Sequence, residues 1–133
     1  MSSFVLDASA FLAYLYNEPG SSVVETALLQ GAAMSVVNWI EVLSKVADRG
    51  DDPQVLVQDL ETQGLLGQNL ELVAVTQADS LAIAQLRPMT KSIGLSLGDR
   101  ACIALGQRLG LPILTADRVW AGLSLSTEIR LIR

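Results

Sequence analysis

Phe4-Val5-Leu6-Asp7-Ala8-Ser9 is the stretch from which the rest of the chain can be read. Three apolar residues run directly into an acid, and a helix-like pattern begins just beyond it. A continuous apolar run of this kind marks a strand buried on both faces, as at the centre of a parallel sheet. Asp7 then stands at the carboxyl end of that strand, where open α/β sheets place their ligands.

Outward from there, Ala8 to Asn17 reads as a helix with Phe11, Leu12 and Leu15 on one face, ended by Glu18-Pro19-Gly20. Ser21 is placed to cap a second helix through Gln30, with Val24, Leu28 and Leu29 inward. Ala32 to Val37 reads as the second strand, and Asn38 as the cap of a helix from Trp39 to Arg49 closed by Gly50. Asp51-Asp52-Pro53 opens a helix reaching about Leu66, with Pro53 suited to its first turn. Leu70 to Val75 is the third strand, and Thr76 to Leu86 a helix interrupted by Arg87-Pro88. Leu97 to Leu109 is a helix capped by Ser96 and stopped by Gly110. Leu111 to Thr115 is the fourth strand, with Pro112 at its very start because proline cannot donate to a ladder. Ile129 to Ile132 is a terminal strand. Strands alternating with helices predict an α/β fold, a small parallel sheet flanked by helices on both faces. No repeat, low-complexity tract or linker divides the chain, so residues 1–133 read as a single domain.

Composition narrows the chemistry. Hydrophobic residues make up 50% of the chain and the mean hydropathy is +0.41, yet no uninterrupted apolar run of about 18 residues predicts a membrane span. Asp7 and Glu18 break up the N-terminal stretch, which argues against a signal peptide. The surplus apolar surface predicts a protein partner or a homodimer, with Phe11, Leu12, Leu15, Val24 and Leu28 of the first two helices as its source. A lone Cys102 has no partner for an internal disulfide, which points to the cytoplasm, and its apolar helical setting predicts a buried thiol. There is no histidine, which excludes His-based triads, zincin motifs and His general bases. A net charge of −5 argues against a passive nucleic-acid coat, but not against a nuclease whose acids bind cations.

Four acids recur at the turns of this pattern: Asp7, Glu41, Asp99 and Asp117. Each has a purely local reading. Asp7 is a good helix cap, Asn38–Glu41 and Ser96–Asp99 are spaced as capping pairs, and Asp117 suits a turn after a strand. What capping leaves unexplained is that all four fall where a parallel sheet could gather them along one edge. Two unit charges about 4 Å apart repel by ~4 kcal/mol at an effective dielectric near ~20, so such a cluster must take up protons, loosen or bind a cation. Mg²⁺ or Mn²⁺, which prefer oxygen ligands, suit it best. Asp51, Asp52, Asp59 and Glu61 fall in polar turns or on helix faces and read as solvated.

Phe4-Val5-Leu6-Asp7-Ala8-Ser9-Ala10, Asn38-Trp39-Ile40-Glu41, Leu95-Ser96-Leu97-Gly98-Asp99-Arg100-Ala101 and Leu114-Thr115-Ala116-Asp117-Arg118 together resemble the PIN domain. More narrowly, the chain resembles the VapC toxins of bacterial toxin–antitoxin pairs. The resemblance implies a Mg²⁺- or Mn²⁺-dependent ribonuclease restrained by a cognate antitoxin protein. It places Asp7, Glu41, Asp99 and Asp117 at the acidic metal site, with Ser9 and Thr115 as supporting hydroxyls. Metal-assisted hydrolysis without a histidine would leave a 5′-phosphate and a 3′-hydroxyl. Arg100, Arg118 and Lys91 are the nearby candidates to hold RNA phosphates, each equally readable as a solvated charge, and Trp120 as a base-stacking or core residue. A receiver domain would need paired acids after the first strand and an Asp after the third, where the chain has Val75-Thr76-Gln77. A catalytically idle binding module and a DNA-directed nuclease remain as alternatives, since nothing in the sequence predicts recognition of the 2′-hydroxyl.

Overall fold

The computed structural model describes residues 1–133. Five parallel strands, β1 (Phe4–Leu6), β2 (Ala32–Ser35), β3 (Leu70–Val73), β4 (Ile113–Thr115) and β5 (Ile129–Leu131), lie in the order β3-β2-β1-β4-β5. The chain adds strands to one side of β1 and then returns to add them on the other. Between β1 and β4 the winding reverses, and at the carboxyl end of such a junction the flanking connections part to leave a crevice.

Side chains alternate across the sheet with period two and feed two cores. Leu6, Met34, Leu70 and Leu114 face a cluster closed by helices α1 (Ala8–Leu15), α2 (Ser21–Gln30), α3 (Val36–Asp48) and α4 (Pro53–Thr62). Val5, Ala33 and Ile113 face a second cluster, closed by α5 (Gln77–Gln85) and α7 (Leu97–Leu109), with the short α6 (Arg87–Thr90) beside them. Val5 and Leu6 are both 0% exposed, and full burial of each contributes about 1.5–3 kcal/mol. Their lack of alternation in sequence is the mark of a strand covered on both faces.

Helix starts differ from the sequence reading in two places. Gly20, not Ser21, is the cap of α2; its φ is +95°, and a Cβ there would meet the Ile132 carbonyl oxygen at 2.7 Å. The helix after β2 begins at Val36, capped by the Ser35 hydroxyl, so Asn38 lies inside α3. That frees its amide for tertiary hydrogen bonds. The helix opened by Pro53 ends at Thr62, and Leu65–Asn69 forms a separate turn.

The expected association surface is also revised. Phe11, Val24 and Leu28 are buried in the protein's own core and Leu12 and Leu15 are half-buried, whereas Leu29, expected inward, is 75% exposed. Large apolar side chains on the surface include Leu81, Leu97 and Ile40 instead. Cys102 is buried, as its setting predicts. No helix is long and apolar enough to cross a membrane.

Candidate active site

Asp7 follows β1 and caps α1, its Oδ1 accepting from the Ala10 amide at 2.8 Å. The Thr115 hydroxyl donates to Asp7 Oδ2 at 2.5 Å, and the Ser9 hydroxyl lies 2.8 and 2.9 Å from its two oxygens. Those hydroxyls also accept from the next loop: Ser9 Oγ from the Ala116 amide and Thr115 Oγ1 from the Asp117 amide, each at 3.0 Å. They therefore lash the end of β1 to the end of β4, fixing where Asp117 sits relative to Asp7. Asp117 itself caps the short turn Arg118–Gly122 through Oδ1.

Glu41 and Asp99 are brought together by α3 and α7. Asn38 Nδ2 donates to Glu41 Oε1 at 2.9 Å and to the Gly98 carbonyl at 3.0 Å, tying the Glu41 carboxylate to the first turn of α7. Gly98 is required there, because a Cβ at that position would collide with the Glu41 carboxylate. One residue on, Asp99 completes a capping box: Ser96 N donates to Asp99 Oδ2 at 2.9 Å, and Asp99 N to Ser96 Oγ at 3.1 Å.

All four acids line one cleft of about 200 Å³, with Ser9, Leu12 and Lys45. Three of them also cap helical turns, so the local and the convergent readings hold together. Asp99 and Asp117 each engage one oxygen in a cap and Glu41 one with the Asn38 amide; the second oxygens of all three take no hydrogen bond from the protein. Burial raises the Asp7 pKa from 3.8 to about 6, opposed by the hydrogen bonds from Thr115, Ala10 and Ser9, with a small further rise from Asp99. Burial likewise pushes the Cys102 thiol far up, and the charges of Asp7, Asp99 and Glu41 push it the same way. That thiol is inert, and three acids act on it at once.

The donor set fits a hard divalent cation, since every candidate ligand is an oxygen. The side chains are splayed, so no three of them close on a common point as they stand. Asp7, Glu41, Asp99 and Asp117 are the residues that would hold a cation. A larger groove of about 470 Å³, between α1, α3 and α4, is rimmed by Asp51, Asp52 and Asp59. Its three acids are exposed, Asp51 and Asp52 in the connection leading into α4 and Asp59 on α4 itself, and a single 3.5 Å bond from the Tyr16 hydroxyl to Asp51 stands where the smaller cleft has the Ser9 and Thr115 lashings.

The candidate phosphate-binding cations fall elsewhere. Arg100 turns away from the cleft, Nη1 donating to the Ile83 carbonyl at 3.1 Å, and lines an apolar hollow with Val37 and Leu97. Lys91 and Arg118 are exposed and outside the cleft lining. Trp120 is 0% exposed, so it packs the core and stacks on nothing. Sequence reasoning missed Lys45, although its place one turn after Glu41 on the same helix face was available as a signal.

The PIN domain family model matches residues 4–124. The chain belongs to the PIN domain family. PIN domains as a family are nucleases, and they generally use divalent metal ions. A toxin–antitoxin complex from Klebsiella pneumoniae matches this PIN domain with a TM-score of 0.75 at 17% identity over 98% of each chain. DNA-bound VapBC from Salmonella typhimurium matches with a TM-score of 0.73 at 15% identity over 100% of each chain. VapBC2 from Rickettsia felis, bound to a promoter DNA fragment, gives 0.73 at 13% identity, over 96% of this chain and 97% of that one. At such identities the likeness is one of fold. No curated protein matches the sequence.

Proposed function

We propose that this PIN domain is a Mg²⁺- or Mn²⁺-dependent endoribonuclease and the toxin of a toxin–antitoxin pair. The observation that carries the reading is the cleft itself. Four carboxylates from four separate elements share it, and three present an oxygen that no protein donor occupies. A bound divalent cation supplies charge neutralisation on the scissile phosphate and a more acidic water. Asp7, held by Thr115, Ser9 and the Ala10 amide, is the fixed member of the set. Glu41 is aimed by Asn38, and Asp99 and Asp117 are aimed by the turns they cap. Ser9 and Thr115 position the acids rather than react.

The solved relatives are toxin–antitoxin complexes, which supports an antitoxin partner for this chain as well. In the proposal, the antitoxin and a second copy of the chain cover exposed apolar side chains such as Leu29, Leu81 and Leu97. Light scattering and co-purification from the native host read out both.

Metal-loaded protein incubated with total RNA, followed by mapping of product 5′ ends, tests the activity. Discrete cuts carrying 5′-phosphates, abolished by EDTA, are expected. Intact RNA with Mn²⁺ present, or cleavage of DNA alone, overturns the ribonuclease reading.

A further inference from the structure

Four carboxylates make a poor landing place for RNA, because a phosphate approaching them is repelled until charge is neutralised. One divalent cation leaves two of the four negative charges uncompensated. Of the cations expected from sequence, Arg100 points to the Ile83 carbonyl, and Arg118 and Lys91 are exposed but do not line the cleft. Lys45 is the one basic residue among the residues that line it.

Its setting separates it from a structural lysine. Lys45 lies on α3 one turn beyond Glu41, the spacing and polarity at which Glu and Lys readily pair on a helix. Yet none of the protein's ion pairs involves it, and its side chain is exposed. The buried stretch of the helix next to it, Val42 and Val46, anchors the backbone from which it reaches. A flexible four-carbon stem with three donors at its tip suits a phosphate whose exact position is set by other groups. We infer that Lys45 is the substrate-binding residue that holds an RNA phosphate over the carboxylate cleft. The inference rests on the ribonuclease reading and adds to it the group that offsets the cleft's residual charge.

Steady-state cleavage of a labelled oligoribonucleotide in Mn²⁺, together with anisotropy of a cleavage-resistant phosphorothioate oligoribonucleotide, tests it. Lys45→Met should raise KM and weaken phosphorothioate binding about tenfold, with kcat changed far less. The slope of log affinity against log salt should shrink by about 0.7, the amount of one lost phosphate contact on a single strand. Lys45→Arg should restore most of the binding, and the Mn²⁺-induced rise in Tm should match the parent in both variants. Lys45→Gln serves as a second neutral variant should Met perturb folding. Parental binding and salt slope in both neutral variants, beside normal cleavage by the parent, would overturn the Lys45 role and leave the ribonuclease reading intact. A changed Mn²⁺ response with unchanged RNA binding would overturn it too, assigning Lys45 to the carboxylates instead. Absence of any cleavage by the parent removes both.

Discussion

Two capping boxes in this protein are built from the same hydrogen bonds and set in different surroundings. At α5, Thr76 N donates to Asp79 Oδ2 at 2.8 Å and Asp79 N to Thr76 Oγ1 at 3.3 Å. At α7, Ser96 and Asp99 exchange the same pair of bonds at 2.9 and 3.1 Å. The difference is in the other carboxylate oxygen. Asp79 Oδ1 pairs with Arg108 at 3.2 Å, and Thr76 and that guanidinium hold its carboxyl below the ordinary range. Asp99 has no such cation; its free oxygen shares the cleft with Asp7, Glu41 and Asp117. A cap consumes half of a carboxylate, and the neighbours decide whether the other half is neutralised or left to act.

The largest test of that contrast exchanges the charge at both boxes. Asp99→Asn keeps most of the cap, at a cost of about 1 kcal/mol or less, but removes one of the charges proposed to hold the cation, so RNA cleavage should fall by orders of magnitude with the fold intact by circular dichroism. Asp7→Asn should behave alike. Asp79→Asn should cleave at the parental rate. Parental cleavage by Asp99→Asn would reduce its box to a cap like the other.

A second test uses pH. Asp7 holds its proton to about pH 6 in the folded protein, whereas the unfolded chain releases it near 3.8. Between those values Asp7 binds more protons in the native state than in the unfolded one, so its contribution to metal-free stability is full below about 3.8 and is lost as pH rises through about 6. The loss is on the order of 3 kcal/mol, and Asp7→Asn should flatten it in urea titrations run across that window. Mn²⁺ should act in the opposite sense, raising Tm more as the carboxylates ionise. A flat metal-free profile in the parent would contradict the buried, proton-hungry Asp7.

Gly98→Ala comes next. A helical alanine gains about 0.5–1 kcal/mol over glycine, but here its Cβ displaces the Glu41 carboxylate. Cleavage should drop about tenfold or more without a matching loss of Tm, a split that a kinetic assay paired with a melting curve resolves.

The smallest effect belongs to the other box. Asp79→Ala removes a cap and a half-exposed ion pair, so a loss of about 1 kcal/mol in chemical denaturation is expected, with activity unchanged.

What the sequence determined by itself is the order of elements and the identity of the acids. The uninterrupted Phe4-Val5-Leu6 run can be buried on both faces only in a central strand, and the alternation of strands with helices allows little but a parallel sheet. The bounds of α7, Leu97–Leu109, follow from Ser96 and Gly110 alone, because capping is a local hydrogen-bond problem. Asn38 differs from the cap its spacing predicts for the converse reason: its two hydrogen bonds run to Glu41 and to Gly98, a residue sixty positions away, and no local rule sees the latter. Tertiary structure alone decided that Arg100 faces Ile83 while Lys45 faces the cleft, that Trp120 is core, and that Asp79 is paired while Asp99 is free. Long side chains choose their partners from whatever the packed fold sets within a few ångströms, and that set is assembled from distant parts of the chain.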